Sequence, residues 1–269
     1  MSNKERLDVL LVERNLFESR ERAKRIIMAG KILVDDVKID KAGTLVDRDC
    51  QIRLLGEDIP FVSRGGLKLN KAIDEFNIDL NGKIAADIGA STGGFTDCML
   101  QHGATKVYAI DVGYGQLAWK LRQDSRVINM ERTNIRNVTR DMIADDLDFA
   151  SVDVAFISLD KVLPVAFNLL SDSGEVVALI KPQFEAGREN VGKKGVVRDK
   201  NIHFDVINKI ISISMELNFK LQNISYSPIK GPEGNIEYLI HLLKKGISNE
   251  FDEKTIKQII NNAHEELNN

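Results

Sequence analysis

A glycine-rich segment and an aspartate about twenty residues beyond it have the composition of a nucleoside-binding site. Gly89, Gly93 and Gly94 lie in the segment ADIGASTGGF after an apolar run, and Asp111 ends the next apolar run. The glycines do not match the G-x-G-x-x-G pattern of dinucleotide sites, and Gly94 lacks the following Lys-Ser/Thr pair of a phosphate loop. Glycine lets the backbone approach a ligand closely, and a carboxylate accepts ribose hydroxyls. The combination favours S-adenosylmethionine; the alternative is that the glycines only permit a tight turn and that Asp111 caps a helix.

Neighbouring residues are candidates for binding the same cofactor. Ser91 is placed to bond the methionine carboxylate, with help from loop amides at the start of the next helix. Asn134 follows the third predicted strand of this region, where it would contact the adenine edge. The predicted S-adenosylmethionine site comprises Asp87, Gly89, Ser91, Gly93, Gly94, Phe95, Asp111, Val112 and Asn134.

These candidates lie in a region, from about residue 80, where strand-like and helix-length segments alternate. Five nearly continuous apolar runs predict buried strands at Lys83–Ile88, Lys106–Val112, Val127–Met130, Phe149–Phe156 and Glu175–Ile180. Buried strands joined through helices indicate an α/β fold with a doubly wound, mostly parallel sheet. Leu221–Ser227 and Glu237–Leu243 have no helix between them, so we expect them to pair as a hairpin at one edge. Phe251–Glu266 predicts an amphipathic acidic helix.

The first 60 residues predict a small, separate α+β domain. Leu7, Leu10 and Leu11 recur at helical spacing, and Ser19 can cap a second helix that ends at Gly30. Short strands are predicted at Lys31–Val34, Val37–Ile39 and Gln51–Leu55, with a tight turn at Asp35-Asp36 and a linker at Gly56–Pro60. We therefore predict a domain at residues 1–60, a linker and helix at 61–80, a cofactor-binding domain at 81–246 and a C-terminal helix at 247–269.

The composition is that of a soluble globular protein. The 269 residues are 43% hydrophobic and 29% charged, with a formal net charge of -3, so any nucleic acid would have to bind a local cluster of Lys and Arg. Cys50 and Cys98 match no metal-ligand spacing, which predicts a reduced protein without a metal. The charged start MSNKERLDVLLVERN does not resemble a secretion signal, and no apolar run approaches the ~18 residues that span a bilayer. We expect a cytoplasmic protein that does not bind membranes.

Five motifs together resemble one known family. They are SRGGLKL, ADIGASTGGFTD, AIDVGYGQL, SVDVAFIS and ALIKPQFEAG. In combination they are similar to the TlyA family of ribosomal RNA methyltransferases, whose members are often labelled hemolysin A. The resemblance covers nearly the whole chain. It implies an N-terminal RNA-binding domain like that of ribosomal protein four of the small subunit, and a Rossmann-like class I methyltransferase domain like that of FtsJ.

The resemblance also implies a catalytic Lys-Asp-Lys-Glu tetrad for ribose 2′-O-methylation. It corresponds here to Lys68, Asp153, Lys181 and Glu237. The pattern of the chain supports three of these positions, because Asp153 lies within the predicted fourth strand, Lys181 ends the fifth and Glu237 opens the last. A ribose hydroxyl is weakly acidic and needs a base, or a cation that stabilises the alkoxide, when it attacks a methyl group. We expect Lys181 to have this role, Asp153 to orient it, and Lys68 and Glu237 to orient the hydroxyl and balance the charge.

The predicted second helix carries a basic face. Arg20, Arg22, Lys24 and Arg25 lie opposite its apolar residues. Such a face is often only solvated, but its arginines suit bidentate phosphate contacts and the resemblance implies RNA binding. The predicted RNA-binding residues are Arg6, Arg20, Arg22, Lys24, Arg25 and Lys31. A glycine- and base-rich loop at residues 184–198 is a further candidate.

The sequence predicts an S-adenosylmethionine-dependent enzyme that methylates a ribose 2′-hydroxyl in ribosomal RNA, alone or in ribosomal subunits. The target nucleotide, a cytidine, is implied by the resemblance alone. Two alternatives are a membrane-active hemolysin, which would need a secretion signal and a membrane-binding segment, and an RNA-binding protein without catalysis. The glycine loop and the complete tetrad favour the enzyme.

Overall fold

The computed structural model of the protein describes residues 3–55 and 59–268. By its internal contacts the chain divides into two compact units, Met1–Ile59 and Pro60–Asn269. Residues 56–58 of the predicted linker lie outside the described part of the chain.

In its described residues, the N-terminal unit has two helices and short antiparallel strands. The elements are β1 (Lys4–Arg6), α1 (Leu7–Glu13), α2 (Arg20–Met28), β2 (Ile32–Val34), β3 (Val37–Ile39), β4 (Leu45–Asp47) and β5 (Ile52–Leu54). β2 pairs with β3 and β5, and β1 pairs with β4, a pair that the sequence pattern did not indicate. Ser19 caps α2 as predicted, because its Oγ accepts the N–H of Arg22 at 3.3 Å. Asp35 and Asp36 both have positive φ, the backbone of a two-residue hairpin turn.

The larger unit contains the remaining elements. Its helices are α3 (Gly65–Phe76), α4 (Gly94–Gln101), α5 (Trp119–Arg122), α6 (Leu163–Leu169), α7 (Pro182–Glu185), α8 (Lys200–Glu216) and α9 (Glu253–Asn268). Its strands are β6 (Ile84–Ile88), β7 (Lys106–Ile110), β8 (Val127–Met130), β9 (Leu147–Val152), β10 (Leu170–Ile180), β11 (Lys220–Tyr226) and β12 (Tyr238–Leu243). Short 3-10 turns occur at Ile135–Asn137, Arg140–Met142, Leu159–Lys161 and Arg188–Asn190.

The strands of this unit form one sheet in the order β11-β12-β10-β9-β6-β7-β8. β8, β7, β6, β9 and β10 run parallel, while β12 is antiparallel to both β10 and β11. This confirms the mostly parallel α/β sheet and the hairpin at one edge. β6 and β9 are neighbours although β7 and β8 separate them in the chain, so the strand order switches direction between them. Ligands of open α/β sheets bind at the carboxyl ends of the strands at such a point.

Two strands, β7 and β9, end earlier than predicted, β10 ends at Ile180 as predicted, and β12 begins one residue later than predicted, so three tetrad residues lie just outside the sheet. β7 ends at Ile110 because Asp111 Oδ1 accepts the N–H of Gly113 at 2.6 Å and turns the chain. β9 ends at Val152, so Asp153 follows the strand; Phe156 has a φ of 61°, which an extended strand cannot contain. Lys181 and Glu237 likewise adjoin β10 and β12.

Candidate active site

The tetrad residues come from four separate parts of the larger unit and meet at one edge of the sheet. Lys68 lies in α3, and Asp153 and Lys181 directly follow the parallel strands β9 and β10. Glu237 directly precedes β12. Because β12 is antiparallel and its first residue, Tyr238, pairs with the last residue of β10, Glu237 lies at the edge where the parallel strands end. The structure therefore brings together four residues that are far apart in sequence.

Their charged groups form an alternating chain. Lys181 Nζ lies 2.5 Å from Asp153 Oδ1, and Lys68 Nζ lies 3.9 Å from Asp153 Oδ2. Lys68 Nζ also donates to Glu237 Oε2 at 2.6 Å. Two ammonium groups and two carboxylates balance each other, which is how buried charges are tolerated.

Burial divides the tetrad into an accessible pair and a supporting pair. The side chains of Asp153 and Lys181 are 20% and 12% exposed, whereas those of Lys68 and Glu237 are 8% and 1% exposed. A substrate can therefore reach the Lys181 ammonium and the Asp153 carboxylate. Lys68 and Glu237 lie on the more buried side of the cluster and hold the accessible pair in place there.

A cavity of about 460 Å³ adjoins this cluster at the carboxyl ends of β6, β7 and β9. Its volume suits a nucleoside-sized ligand. Five predicted cofactor residues line it: Gly89, Ser91, Asp111, Val112 and Asn134. Asp153 belongs both to the cavity wall and to the tetrad, so a ligand in the cavity would lie next to the charged cluster.

The carboxylate of Asp111 is held in a fixed orientation. Its Oδ2 accepts the N–H of Ser91 at 2.8 Å and its Oδ1 accepts the N–H of Gly113 at 2.6 Å. Each carboxylate oxygen keeps a second acceptor position, so the group can still bind two hydroxyls. Ser91 itself has a φ of 47°, which turns the glycine-rich loop towards Asp111.

Gly89 is required by close packing within the site. Its φ is +90°, and a Cβ there would lie 2.4 Å from the carbonyl oxygen of Asp153. Any side chain at this position would displace the segment that carries Asp153.

The structure places four predicted cofactor residues behind the cavity wall rather than in it. A Cβ at Gly93 would meet Leu121, and one at Gly94 would lie 2.4 Å from Ser63 Oγ, so both glycines permit packing of the loop. Phe95 is 3% exposed in the core and Asp87 is fully buried. These residues shape the loop and do not line the cavity, because Asp87 lies inside β6 before the loop and Gly93, Gly94 and Phe95 lie where the chain enters α4.

The buried carboxylate of Asp87 holds the segment after the glycine-rich loop in place through hydrogen bonds. Its Oδ2 accepts both the N–H and the Oγ–H of Thr96, at 2.8 and 2.6 Å, and its Oδ1 accepts the Oγ–H of Ser151 at 3.2 Å. Burial raises the pKa of this carboxyl to about 7 in spite of these hydrogen bonds.

The comparison with known proteins agrees with this geometry. Residues 61–244 match the model of FtsJ-like methyltransferases and residues 5–52 match the S4 domain. The chain is 40% identical to the 16S/23S rRNA (cytidine-2′-O)-methyltransferase TlyA of Mycobacterium tuberculosis, over 90% of this chain and 91% of that protein. It belongs to the TlyA family.

Two further relatives support the assignment to the TlyA family. A Bacillus subtilis protein that is provisionally named rRNA methyltransferase YqxC is 52% identical, over 99% of this chain and 96% of its own length. A solved structure from Streptococcus thermophilus, provisionally named a hemolysin, has a TM-score of 0.78 and 46% identity, covering 100% of this chain and 98% of that one. The chain is thus a methyltransferase with an N-terminal S4 domain.

Sequence reasoning missed several residues of the cavity in the methyltransferase domain. Gln116, Thr133 and Arg136 line it, and so does Phe156, whose side chain is 91% exposed. An aromatic residue with positive φ is rare and marks a constrained segment. Only the position of Phe156, shortly after the predicted catalytic Asp153, could have indicated it.

The S4 domain separates its predicted RNA-binding residues into two groups. Arg6 Nε and Arg20 Nη2 each lie 2.9 Å from a carboxylate oxygen of the buried Asp8. The hydrogen bond from Arg6, followed by that from Arg20, lowers the pKa of Asp8 to about 2. Arg22 donates to the carbonyl oxygen of Ile59 at 2.8 Å. These three arginines therefore have structural partners within their own unit.

The second group consists of Lys24, Arg25 and Lys31. Among residues 3–55 and 59–268, none of the three forms an ion pair, and Arg25 is exposed. Their charges remain available to a phosphate backbone.

Two further features of this family member concern metals and membranes. Within the described ranges, no three His, Cys, Asp or Glu side chains are grouped so that they could hold a metal ion. No described helix has both the length and the apolar character needed to cross a bilayer.

Proposed function

We propose that this protein methylates a ribose 2′-hydroxyl in ribosomal RNA, with S-adenosylmethionine as the methyl donor. The proposal rests on one observation, which is that Asp153 belongs to two parts of the site. It lines the cavity and also lies 2.5 Å from the Lys181 ammonium, so the donor site and the charged cluster share a wall. A lysine and an aspartate at this wall are residue types that suit transfer of a methyl group to a hydroxyl.

The cavity residues fit the proposed cofactor. Asp111 has a fixed carboxylate with free acceptor positions for the two ribose hydroxyls. Asn134 lines the same cavity and would contact the adenine, and Ser91 would bond the methionine carboxylate. Gly89 also lines the cavity, and because it has no side chain the Asp153 segment can pack directly against the glycine-rich loop. When bound, S-adenosylmethionine would supply a methyl group on an electron-poor sulfonium.

Lys181 has the central role in activating the hydroxyl. As a neutral amine it would take the hydroxyl proton, and as an ammonium it would stabilise the developing alkoxide. Asp153 holds Nζ of Lys181 at the cavity wall. Lys68 and Glu237, paired at 2.6 Å, keep Asp153 from moving and leave the cluster electrically balanced.

The S4 domain would supply much of the affinity for RNA through Lys24, Arg25 and Lys31. A cytidine target is proposed from the name of the Mycobacterium tuberculosis relative. A ribosomal RNA substrate would place the protein in the cytoplasm, with the ribosomes.

The decisive experiment is methyl transfer from labelled S-adenosylmethionine to intact ribosomes and to each separated subunit, followed by nucleoside analysis. We expect label in a 2′-O-methylcytidine. A base-methylated nucleoside would refute the ribose assignment, and another 2′-O-methylated nucleoside would refute only the cytidine. Lysis of erythrocytes by the purified protein, without transfer to any ribosomal fraction, would favour the alternative class of hemolysins.

A further inference from the structure

Glu185 is a buried carboxylate with no part in the tetrad or the cavity. Its side chain is 2% exposed and both of its oxygens accept hydrogen bonds. Oε1 accepts the N–H of Leu159 at 2.7 Å, and Oε2 accepts the Oγ–H of Ser158 at 2.7 Å. Lys209 Nζ lies 3.4 Å from Oε2 and donates to the carbonyl oxygen of Glu185 at 3.0 Å. A carboxylate is tolerated away from water only when hydrogen bonds and an opposite charge compensate it, and here its partners come from another segment of the chain.

The two segments that Glu185 joins are those that carry the accessible catalytic pair. Lys181 caps the short helix α7, and Glu185 is the last residue of that helix. Ser158 and Leu159 end the loop that starts at Asp153 and forms one wall of the cavity. The hydrogen bonds of Glu185 to Ser158 and Leu159, called the bridge below, therefore link the segment that carries Lys181 to the segment that carries Asp153.

A ring contact joins the same two segments. Phe156 of the cavity loop and Phe184 of α7 have ring centroids 5.1 Å apart. Phe156 is 91% exposed and has positive φ. Its contact with Phe184 therefore does not bury the cavity loop. The two charge-assisted hydrogen bonds of Glu185 are the stronger restraint on the distance between the segments.

We propose that Glu185 is a positioning residue that sets the contact between Lys181 Nζ and Asp153 Oδ1. The inference rests on the proposed function, because it assigns Glu185 to the geometry of that reaction. Without the bridge, the loop after Asp153 and helix α7 lose their buried hydrogen bonds to each other, and the contact of Phe156 with Phe184 is a weaker restraint on the position of Asp153 relative to Lys181. A displacement of about 1 Å between reacting groups is enough to lower a rate by roughly 100-fold.

The test compares three variants in the full-length protein. Glu185→Met keeps the length of the side chain but accepts no hydrogen bond, and Glu185→Gln keeps an acceptor for Leu159 and a donor towards Ser158. The control is Asp148→Ala, which removes a carboxylate that accepts the N–H of Ile84 at 3.0 Å, at the opposite end of the sheet. Unfolding temperature, affinity for S-adenosylhomocysteine, and kcat and KM with ribosomal substrate are measured for each.

We expect Glu185→Met to lower kcat by about 10- to 100-fold, with a smaller change in KM and in affinity for S-adenosylhomocysteine. Glu185→Gln should recover most of that loss, and Asp148→Ala should lower the unfolding temperature while kcat stays close to wild type. An unchanged kcat in Glu185→Met overturns the proposal. The proposal is also overturned if Glu185→Met and Asp148→Ala lower the unfolding temperature equally and Glu185→Met loses no more kcat than Asp148→Ala does.

A second variant keeps the proposal testable if Glu185→Met does not fold. Ser158→Ala removes one hydrogen bond of the bridge, together with the bond that Ser158 Oγ accepts from the N–H of Asp160, and leaves the carboxylate in place. It should lower kcat, and combining it with Glu185→Gln should add less than the sum of the two effects. Strict additivity, or normal kcat in Ser158→Ala, counts against the bridge. A wild-type protein that is inactive on every ribosomal fraction would refute the proposed function instead.

Discussion

Lys68 and Glu237 lie 169 residues apart in the sequence, yet Nζ of Lys68 donates to Oε2 of Glu237 at 2.6 Å. Both side chains are almost fully buried. Each is therefore the main reason that the other can be charged in the interior.

This pairing predicts different effects on stability and on activity. Lys68→Met should lower the free energy of unfolding by about 3 kcal/mol, because the Glu237 carboxylate is left buried without its partner. The double variant Lys68→Met/Glu237→Gln should regain much of that stability in urea unfolding but no methyl transfer. Recovery of activity in the double variant would mean that the pair serves the fold alone.

Lys181 is the residue on which the proposed reaction depends most. Lys181→Met keeps much of the aliphatic stem, so binding of S-adenosylhomocysteine and of ribosomes should survive. Turnover should fall by about 100-fold or more, as expected for a lost general base. Lys181→Arg should not restore it, because a guanidinium stays protonated.

The two Lys181 variants separate the possible roles. A largely active Arg variant would assign Lys181 a purely electrostatic role at the alkoxide. An active Met variant would remove Lys181 from the catalytic group.

Asp111 should contribute directly to cofactor affinity. Asp111→Ala should weaken binding of S-adenosylhomocysteine by about 1–3 kcal/mol in calorimetry, because two hydroxyls lose a charged acceptor and the loop loses two hydrogen bonds. Asp124→Ala is the matched control, since that carboxylate pairs with Arg126 outside the cavity. Equal affinity in the two variants, or tighter binding of NADH or ATP than of S-adenosylhomocysteine, would refute the cofactor assignment.

The S4 domain should bind RNA through its second group of basic residues. Replacing Lys24, Arg25 and Lys31 by Gln should weaken RNA binding and reduce its salt dependence by about one slope unit for each phosphate that is no longer neutralised. Arg20→Gln should mainly lower stability, because it removes a partner of the buried Asp8. A salt slope that the triple variant leaves unchanged would assign these three residues to ordinary surface.

The buried Asp87 should make stability depend on pH. Its folded-state pKa of about 7 lies above the usual value of 3.8, so the native state binds the proton more tightly than the unfolded chain. The resulting stabilisation is complete below about pH 4 and is lost as the pH rises towards 7. Asp87→Asn does not titrate, so the stability advantage of wild type over this variant should be smaller at pH 8 than at pH 5, by on the order of 1 kcal/mol or more. Urea unfolding at the two pH values measures this, and a difference independent of pH would contradict it.

The sequence alone was sufficient for the features that neighbouring residues encode. Apolar runs such as Lys106–Val112, which forms a strand at Lys106–Ile110, predicted the strands, and Ser19 and the Asp35-Asp36 pair predicted a helix cap and a turn. The glycine-rich loop and Asp111 were also recognisable, because both follow buried strands whose carboxyl ends share one edge. Such local patterns depend on backbone preferences within a few residues.

Only the tertiary structure decided which side chains meet. Gly93 and Gly94 belong to the same loop as Gly89, but they pack against other residues while Gly89 lines the cavity. Arg20 and Arg25 lie on the same basic helix, yet the half-exposed Arg20 is paired with the buried Asp8.

The same is true of the contacts between distant parts of the chain. The pair Lys68–Glu237 and the bridge of Glu185 to Ser158 depend on the order of the strands and on where each strand stops. Packing in three dimensions determines which residue a side chain contacts. Periodicity along the chain indicates which side chains share a face of one helix or strand, but it does not identify their partner in another element.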